Sequence, residues 1–356
     1  MRGVRQQLRL TSGSIWLDEL TGALENWPRT KIQNSMTGGT RMRLNSRTGF
    51  TLFHLSFVLT LFVAIAVSTL GAAREEKGEV FDGPGGKLYY EVTGSGSGIP
   101  LIVANGGPGF DHTYMQIATT AWTSLAQKRR VIFYDQRGVG RSEPLKAGES
   151  CTLADQIDDL EALRAHLGYE KIDLLGHSWG GFLSMAYAAR HPERIAHLIL
   201  IDSAAPKWSD TVFLFNQVFP QTTERQDALA FADELGDKTA SDASIHEYLT
   251  MLFYSPEKRD VFVAQMGPSA YNKKVNQVLN TDIGRFDLNP EIRKFHFPVM
   301  VGAGQFDMNV APVVAYKIHQ AIAGSRFVVF QRSGHLPFYE EPEAFDSAVE
   351  DFLQSK

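Results

Sequence analysis

Residues 171–190 read KIDLLGHSWGGFLSMAYAAR, and their order of apolar run, glycine-flanked serine and small-residue run decides the fold. Residues 171–175 predict a buried strand, and residues 181–190 predict a helix. Between them, Gly176-His177-Ser178-Trp179-Gly180 puts a serine at a strand-to-helix turn too tight for neighbouring Cβ atoms. Such a turn exposes the serine hydroxyl. The first N–H groups of the following helix have no partner within it and face any negative charge that develops there. By itself the five-residue pattern is equally that of a plain Gly/Ser turn before a helix; the surrounding chain gives it weight.

Working outward, strand-like runs at 87–92, 100–103, 131–134, 196–201, 298–301 and 327–330 alternate with helix-like runs at 152–167, 310–322 and 342–353. In 152–167, Leu153, Ile157, Leu160, Leu163 and Leu167 share one face, while Asp158, Asp159 and Glu161 take other faces and read as solvated. Alternation of this kind predicts an α/β fold with a mostly parallel central sheet flanked by helices. Ligands then bind beyond the carboxyl ends of the strands. The core is expected to comprise 79–204 and 290–356. Between them, 205–289 loses the alternation and reads as a helical cap, with Trp208, Phe213, Phe215, Phe219, Phe231, Tyr248, Phe253 and Tyr254 packing inside it.

The 356 residues carry a formal charge of −5, of which 1–73 contribute +5 (eight Lys/Arg, three Asp/Glu) and the remainder −10. An acidic folded part argues against nucleic acid as a partner. One cysteine, Cys151, allows no intrachain disulfide. Residues 50–73 (FTLFHLSFVLTLFVAIAVSTLGAA) have no charged side chain, follow Arg41, Arg43 and Arg47, and end in small residues. That is the layout of a signal peptide or signal anchor, so an exported or membrane-anchored protein is expected, touching the membrane only through this segment. The basic region 1–49 lacks periodicity and reads as disordered or untranslated, Met42 offering an alternative start.

A serine hydroxyl needs a base, and the base needs an orienting acid. Asp307 follows the strand at 298–301 and His335 follows the strand at 327–330, so Ser178, Asp307 and His335 occur in the chain order expected of this fold type. Asp202, also just past a strand, is the competing acid. The carbonyl under attack needs donors for its oxyanion, and the backbone N–H groups of Trp179 and of Gly107, in Asn105-Gly106-Gly107-Pro108-Gly109, are the candidates. No metal-ligand spacing or phosphate loop occurs, so no cofactor and no metal are expected.

Three stretches carry a family resemblance: Gly106 to Tyr114 (GGPGFDHTY), Asp135 to Ser142 (DQRGVGRS) and Gly176 to Gly181 (GHSWGG). In these the chain resembles the α/β-hydrolase superfamily and, within it, the prolyl aminopeptidase (proline iminopeptidase) group of serine peptidases. The resemblance implies an α/β-hydrolase fold and release of N-terminal residues, proline among them, from small peptides or amides. It also implies that cap carboxylates hold the substrate's ammonium, for which Glu224, Asp227, Asp233, Glu234 and Glu247 are available. Asn105 stands where the group's loop usually opens with His, and His177 where many members have Gly. An esterase, lactonase or amidase with the same triad is the alternative, and a non-catalytic binding protein a third.

Overall fold

The computed structural model describes residues 78–266 and 271–355. The expectations for 1–49 and 50–73 lie outside the described residues. Among the described residues no helix is long and apolar enough to cross a membrane.

Eight strands form one sheet: β1 (Gly78–Gly83), β2 (Gly86–Thr93), β3 (Leu101–Ala104), β4 (Val131–Tyr134), β5 (Ile172–His177), β6 (Ile195–Ile201), β7 (Val299–Gly304) and β8 (Arg326–Phe330). Their order is β1-β2-β4-β3-β5-β6-β7-β8. The first hairpin is antiparallel, as is its join to β4; every other pairing is parallel. Central β3 and β5 are buried at every residue, as expected of parallel strands covered on both faces.

Helices α1 (Ala121–Lys128), α2 (Leu153–His166), α3 (Trp179–Arg190), α8 (Pro312–Ala321) and α9 (Pro342–Leu353) cover the sheet. Between β6 and β7 come α4 (Pro220–Glu234), α5 (Lys238–Thr250), α6 (Pro256–Met266) and α7 (Lys273–Ile283). A reciprocal capping box starts α2: Thr152 Oγ1 accepts the Asp155 N–H and Asp155 Oδ2 accepts the Thr152 N–H. Leu153, Ile157, Leu160 and Leu163 are buried along the face that the spacing marks.

Asp159 corrects the reading of that helix. It is fully buried, not solvated, and both carboxylate oxygens accept from Arg137, at 2.7 Å from Nε and 2.6 Å from Nη2. Helical periodicity places a side chain on a face but says nothing of what another loop brings to that face. Here Arg137 arrives from the loop after β4 and satisfies the charge with a planar two-bond fork. Cys151 is buried nearby, and burial pushes its thiol up to about 11.

The start of α7 is tied to the loops after β3 and β4 by backbone and amide hydrogen bonds. Asn272 donates its N–H to Gly109 O (2.7 Å) and its amide to Gly138 O (2.7 Å), and Asn276 donates to Pro108 O (2.9 Å). The buried carboxylate of Glu340 accepts the N–H groups of Tyr254, Ser255 and Gly334, tying the α5–α6 connection to the His335 loop.

Candidate active site

The turn between β5 and α3 is as tight as its glycines require. A methyl group on Gly176 would collide with Gly180 O, and one on Gly180 with Ala104 O of the neighbouring strand. Ser178 adopts φ +55°, ψ −120°, a conformation that costs a non-glycine residue about 1–3 kcal/mol. Three backbone bonds hold it there: Ser178 N–H to Ile201 O (3.0 Å), and Gly181 and Ala204 N–H to Ser178 O (3.0 and 3.1 Å). Strain maintained at one serine by its surroundings is the mark of a side chain that must be presented.

Asp307 and His335 come together from the loops after β7 and β8. His335 Nδ1 lies 2.7 Å from Asp307 Oδ2, and both side chains are buried. The other oxygen, Oδ1, accepts the N–H groups of Asn309 (2.8 Å) and Val310 (2.9 Å), which fixes the carboxylate plane. A carboxylate can only accept, so Nδ1 carries the proton and Nε2 keeps a lone pair. Asn309 Nδ2 lies 3.1 Å from Nε2 and donates to it. Ser178 and His335 line one cleft, but the hydrogen bonds of the described residues include none between Ser178 Oγ and Nε2. Nε2 is turned to Asn309 instead.

Asp202 is drawn into the same cluster. It follows β6 directly at φ +44°, is 1% exposed, and accepts the Gly304 N–H at 2.8 Å through Oδ1. Burial first, and the neighbouring Asp307 charge second, push it far above the usual carboxylate range. Asp202, Asp307 and His335 bring one donor atom each within 4.8 Å of one another, close enough for a cation to bridge. Asp307 and His335 are already hydrogen-bonded to each other.

The loop after β3 closes over Ser178. Gly107 has φ +129°, open to glycine alone, and Gly107 and Ser178 line both clefts. Trp179 is the first residue of α3, so its N–H has no partner within the helix. The loop is held by residues whose role the sequence did not reveal. Gly106 N–H donates to Tyr114 Oη (2.6 Å), Tyr114 Oη lies 2.7 Å from His177 Nδ1, and His177 Nε2 lies 2.8 Å from His335 O. A carbonyl only accepts, so His177 carries its proton on Nε2 and takes the tyrosine proton on Nδ1. Burial holds His177 well below the ordinary histidine range, hence neutral. His177 thus ties the glycine loop to the backbone of His335. Asn105, the other departure from the family pattern, donates to Phe110 O at 2.7 Å within the same loop.

The Asp135–Ser142 stretch fastens this loop from behind. Asp135 Oδ1 accepts from both the N–H and Nδ1 of His112 (3.1 and 2.7 Å), and Oδ2 accepts the Arg141 N–H (2.7 Å). Gln136 donates to Asn105 O (2.9 Å) and accepts from Trp179 Nε1 (2.9 Å), joining the loop to the elbow. Proximity of these motifs was legible in the sequence only as co-occurrence; no local pattern marks Asn309 or His177 as site residues.

Two clefts meet at Ser178. One is apolar, with Phe110, Tyr114, Leu252, Phe262 and Leu336 in its wall. The other lies under the cap and carries Gln226, Asn276, Asn280 and Asn309 among aromatic residues. Trp208, Phe213, Phe215 and Tyr248 line this second cleft rather than packing only within the cap. Phe231 is 61% exposed and Tyr254 stacks on Phe306. Among the described residues, neither cleft is lined by Asp, Glu, Lys or Arg. Of the cap carboxylates, Asp233 and Glu234 face Lys273 (2.8 and 3.8 Å), Glu247 faces Arg225 (3.3 Å), and Glu224 and Asp227 are exposed.

The α/β-hydrolase fold family matches residues 99–342. The chain is similar to proline iminopeptidases of Clostridium botulinum (30% identity over 75% of this chain and 94% of the relative) and Lactobacillus helveticus (32% over 76% and 95%). Among solved structures it is similar to a thermophilic esterase from Thermogutta terrifontis (26% identity, TM-score 0.61, 78% of this chain and 98% of that one). It is also similar to the enol-lactonase from Burkholderia xenovorans LB400 (25% identity, TM-score 0.59, 78% and 100%). With its sheet order, its strained serine and these relatives, the chain belongs to the α/β-hydrolase fold family and is a hydrolase resembling the prolyl aminopeptidases.

Proposed function

We propose that this protein is a serine hydrolase in which Ser178 attacks a carbonyl, His335 takes and returns the proton, and Asp307 orients His335. The backbone N–H groups of Gly107 and Trp179 would receive the oxyanion, and water would then release the acyl group from Ser178. The observation that carries the reading is the 2.7 Å contact of His335 Nδ1 with Asp307, which leaves the Nε2 lone pair in the cleft that the strained Ser178 also lines. Attack requires Nε2 to exchange its Asn309 contact for the Ser178 hydroxyl, a tightening ordinary on substrate binding.

The substrate class we propose is a small peptide or amide whose N-terminal residue is released, on the strength of the proline iminopeptidases at about 30% identity. One observation favours a second reading, an esterase, lactonase or amidase: among the described residues, neither cleft at Ser178 presents a carboxylate to a substrate ammonium. The run at 50–73 supports export or membrane anchoring, which fractionation of cells producing the full chain would test.

Proline amide with a free amine, its N-blocked twin and an aryl ester, compared on the purified protein, separate the two readings. Turnover confined to the free amine supports the aminopeptidase. Ester cleavage indifferent to the amine replaces it with the second reading. A serine-directed fluorophosphonate should label the wild type and not Ser178→Ala; an unlabelled wild type would refute the triad.

A further inference from the structure

Asp202 is a fourth ionisable group in the cluster, and the triad chemistry leaves it without a task. Its Oδ1 accepts the Gly304 N–H, whereas Oδ2 is buried and receives no donor from the described residues, and an Asp202 oxygen lies within 4.8 Å of an Asp307 oxygen. A left-handed backbone at a non-glycine residue aims it there, fixed by the Asp202 N–H to Gly302 O bond at 2.9 Å. Two ionised carboxylates this close together and out of water repel each other strongly, so one of them keeps a proton. Asp307 has three donors, namely His335 Nδ1 and the N–H groups of Asn309 and Val310, whereas Asp202 has one. The charge is best placed on the partner with more donors.

We propose that Asp202 is the protonated half of an acid–carboxylate pair: its Oδ2–H donates to the Asp307 carboxylate, so that the pair, rather than Asp307 alone, positions His335. No bond is made or broken; the proton stays on Asp202. Asp202 is therefore a positioning residue, and it sets how basic Asp307, and through it His335, can be. The other titratable groups around the pair are Glu340, from the turn at Pro337–Glu340, and Tyr248 of α5, which faces Asp307. The inference rests on His335 being the base that Asp307 orients.

The test is the titration midpoint of the His335 imidazole, followed by NMR in the ligand-free full chain. Asp202→Asn replaces a neutral O–H donor by a neutral N–H donor of the same shape, and the midpoint should stay within about 0.3 pH units. Asp202→Ala removes the donor, returns full negative charge to Asp307, and should raise the midpoint by about half a unit or more. A fall of about one unit or more in Asp202→Asn would mean that an ionised carboxylate had been deleted, and would overturn the proposal. An unchanged midpoint in Asp202→Ala would overturn it too. Should Asp202→Ala fail to fold, infrared difference spectra of wild type against Asp202→Asn decide. At neutral pH they should contain the C=O stretch of a protonated carboxylic acid, and a carboxylate band in its place refutes the pairing. Both readouts report on the resting protein, so they stand even if fluorophosphonate labelling shows that Ser178 is not the nucleophile.

Discussion

His112 is a buried histidine whose charge should hold the glycine loop after β3 in place. It is fully buried, with Nδ1 2.7 Å from Asp135 and Nε2 3.5 Å from Glu91. Burial alone would lower its pKa, but the hydrogen bonds and charges of Asp135 and Glu91 outweigh it and hold His112 at about 9. Reciprocally, His112 is the main cause that lowers Glu91 to about 2. These are two views of one interaction and are not summed. A rise from 6.5 to about 9, at roughly 1.4 kcal/mol per pH unit, makes about 3 kcal/mol of stability depend on that proton. Because folded His112 binds its proton more tightly than the unfolded chain does, this stability is whole below pH 6.5 and is lost as pH rises through about 9. Urea unfolding of wild type and His112→Gln, at about pH 6 and about pH 9.5, measures it, the variant subtracting every other group that titrates in that window. The wild type should lose about 3 kcal/mol more than the variant. Parallel loss in both proteins would show that His112 is neutral at the lower pH and refute the account. His112 opens the turn that carries Tyr114, so the fluorophosphonate labelling rate should fall over the same interval.

Two further outcomes follow from buried polar groups. Tyr114→Phe removes at once the acceptor for Gly106 N–H and the donor to His177 Nδ1; it should cost about 1–3 kcal/mol by thermal unfolding and lower kcat more than it raises KM. A pure KM effect would mean that Tyr114 only contacts substrate. Arg137→Ala leaves Asp159 buried and unpaired and should destabilise by about 3–5 kcal/mol. The double variant Arg137→Leu/Asp159→Leu should recover most of that loss, and an equally unstable double variant would place the cost in packing.

The sheet and the elbow were legible in the sequence because both are local. Strand and helix periods come from neighbouring residues, and the strained Ser178 needs only the glycines beside it to pass Gly180 and Ala104. Chain order then pointed to Asp307 and His335, whose loops leave adjacent strands β7 and β8. Tertiary structure alone decided what those residues meet. Asp159 reads as solvated until Arg137 arrives from a separate loop. Asp202 reads as a rival acid to Asp307 until the end of β6 brings it within 4.8 Å of that residue, where burial and the neighbouring charge push it far above the usual carboxylate range. His177 reads as a departure from a family pattern until Tyr114 and the His335 carbonyl fix its proton. Which described residues line the two clefts depends on cap helices whose register against the sheet no local pattern encodes. Backbone preference is written residue by residue, whereas charge, protonation and specificity belong to groups far apart in the chain that share a low-dielectric interior.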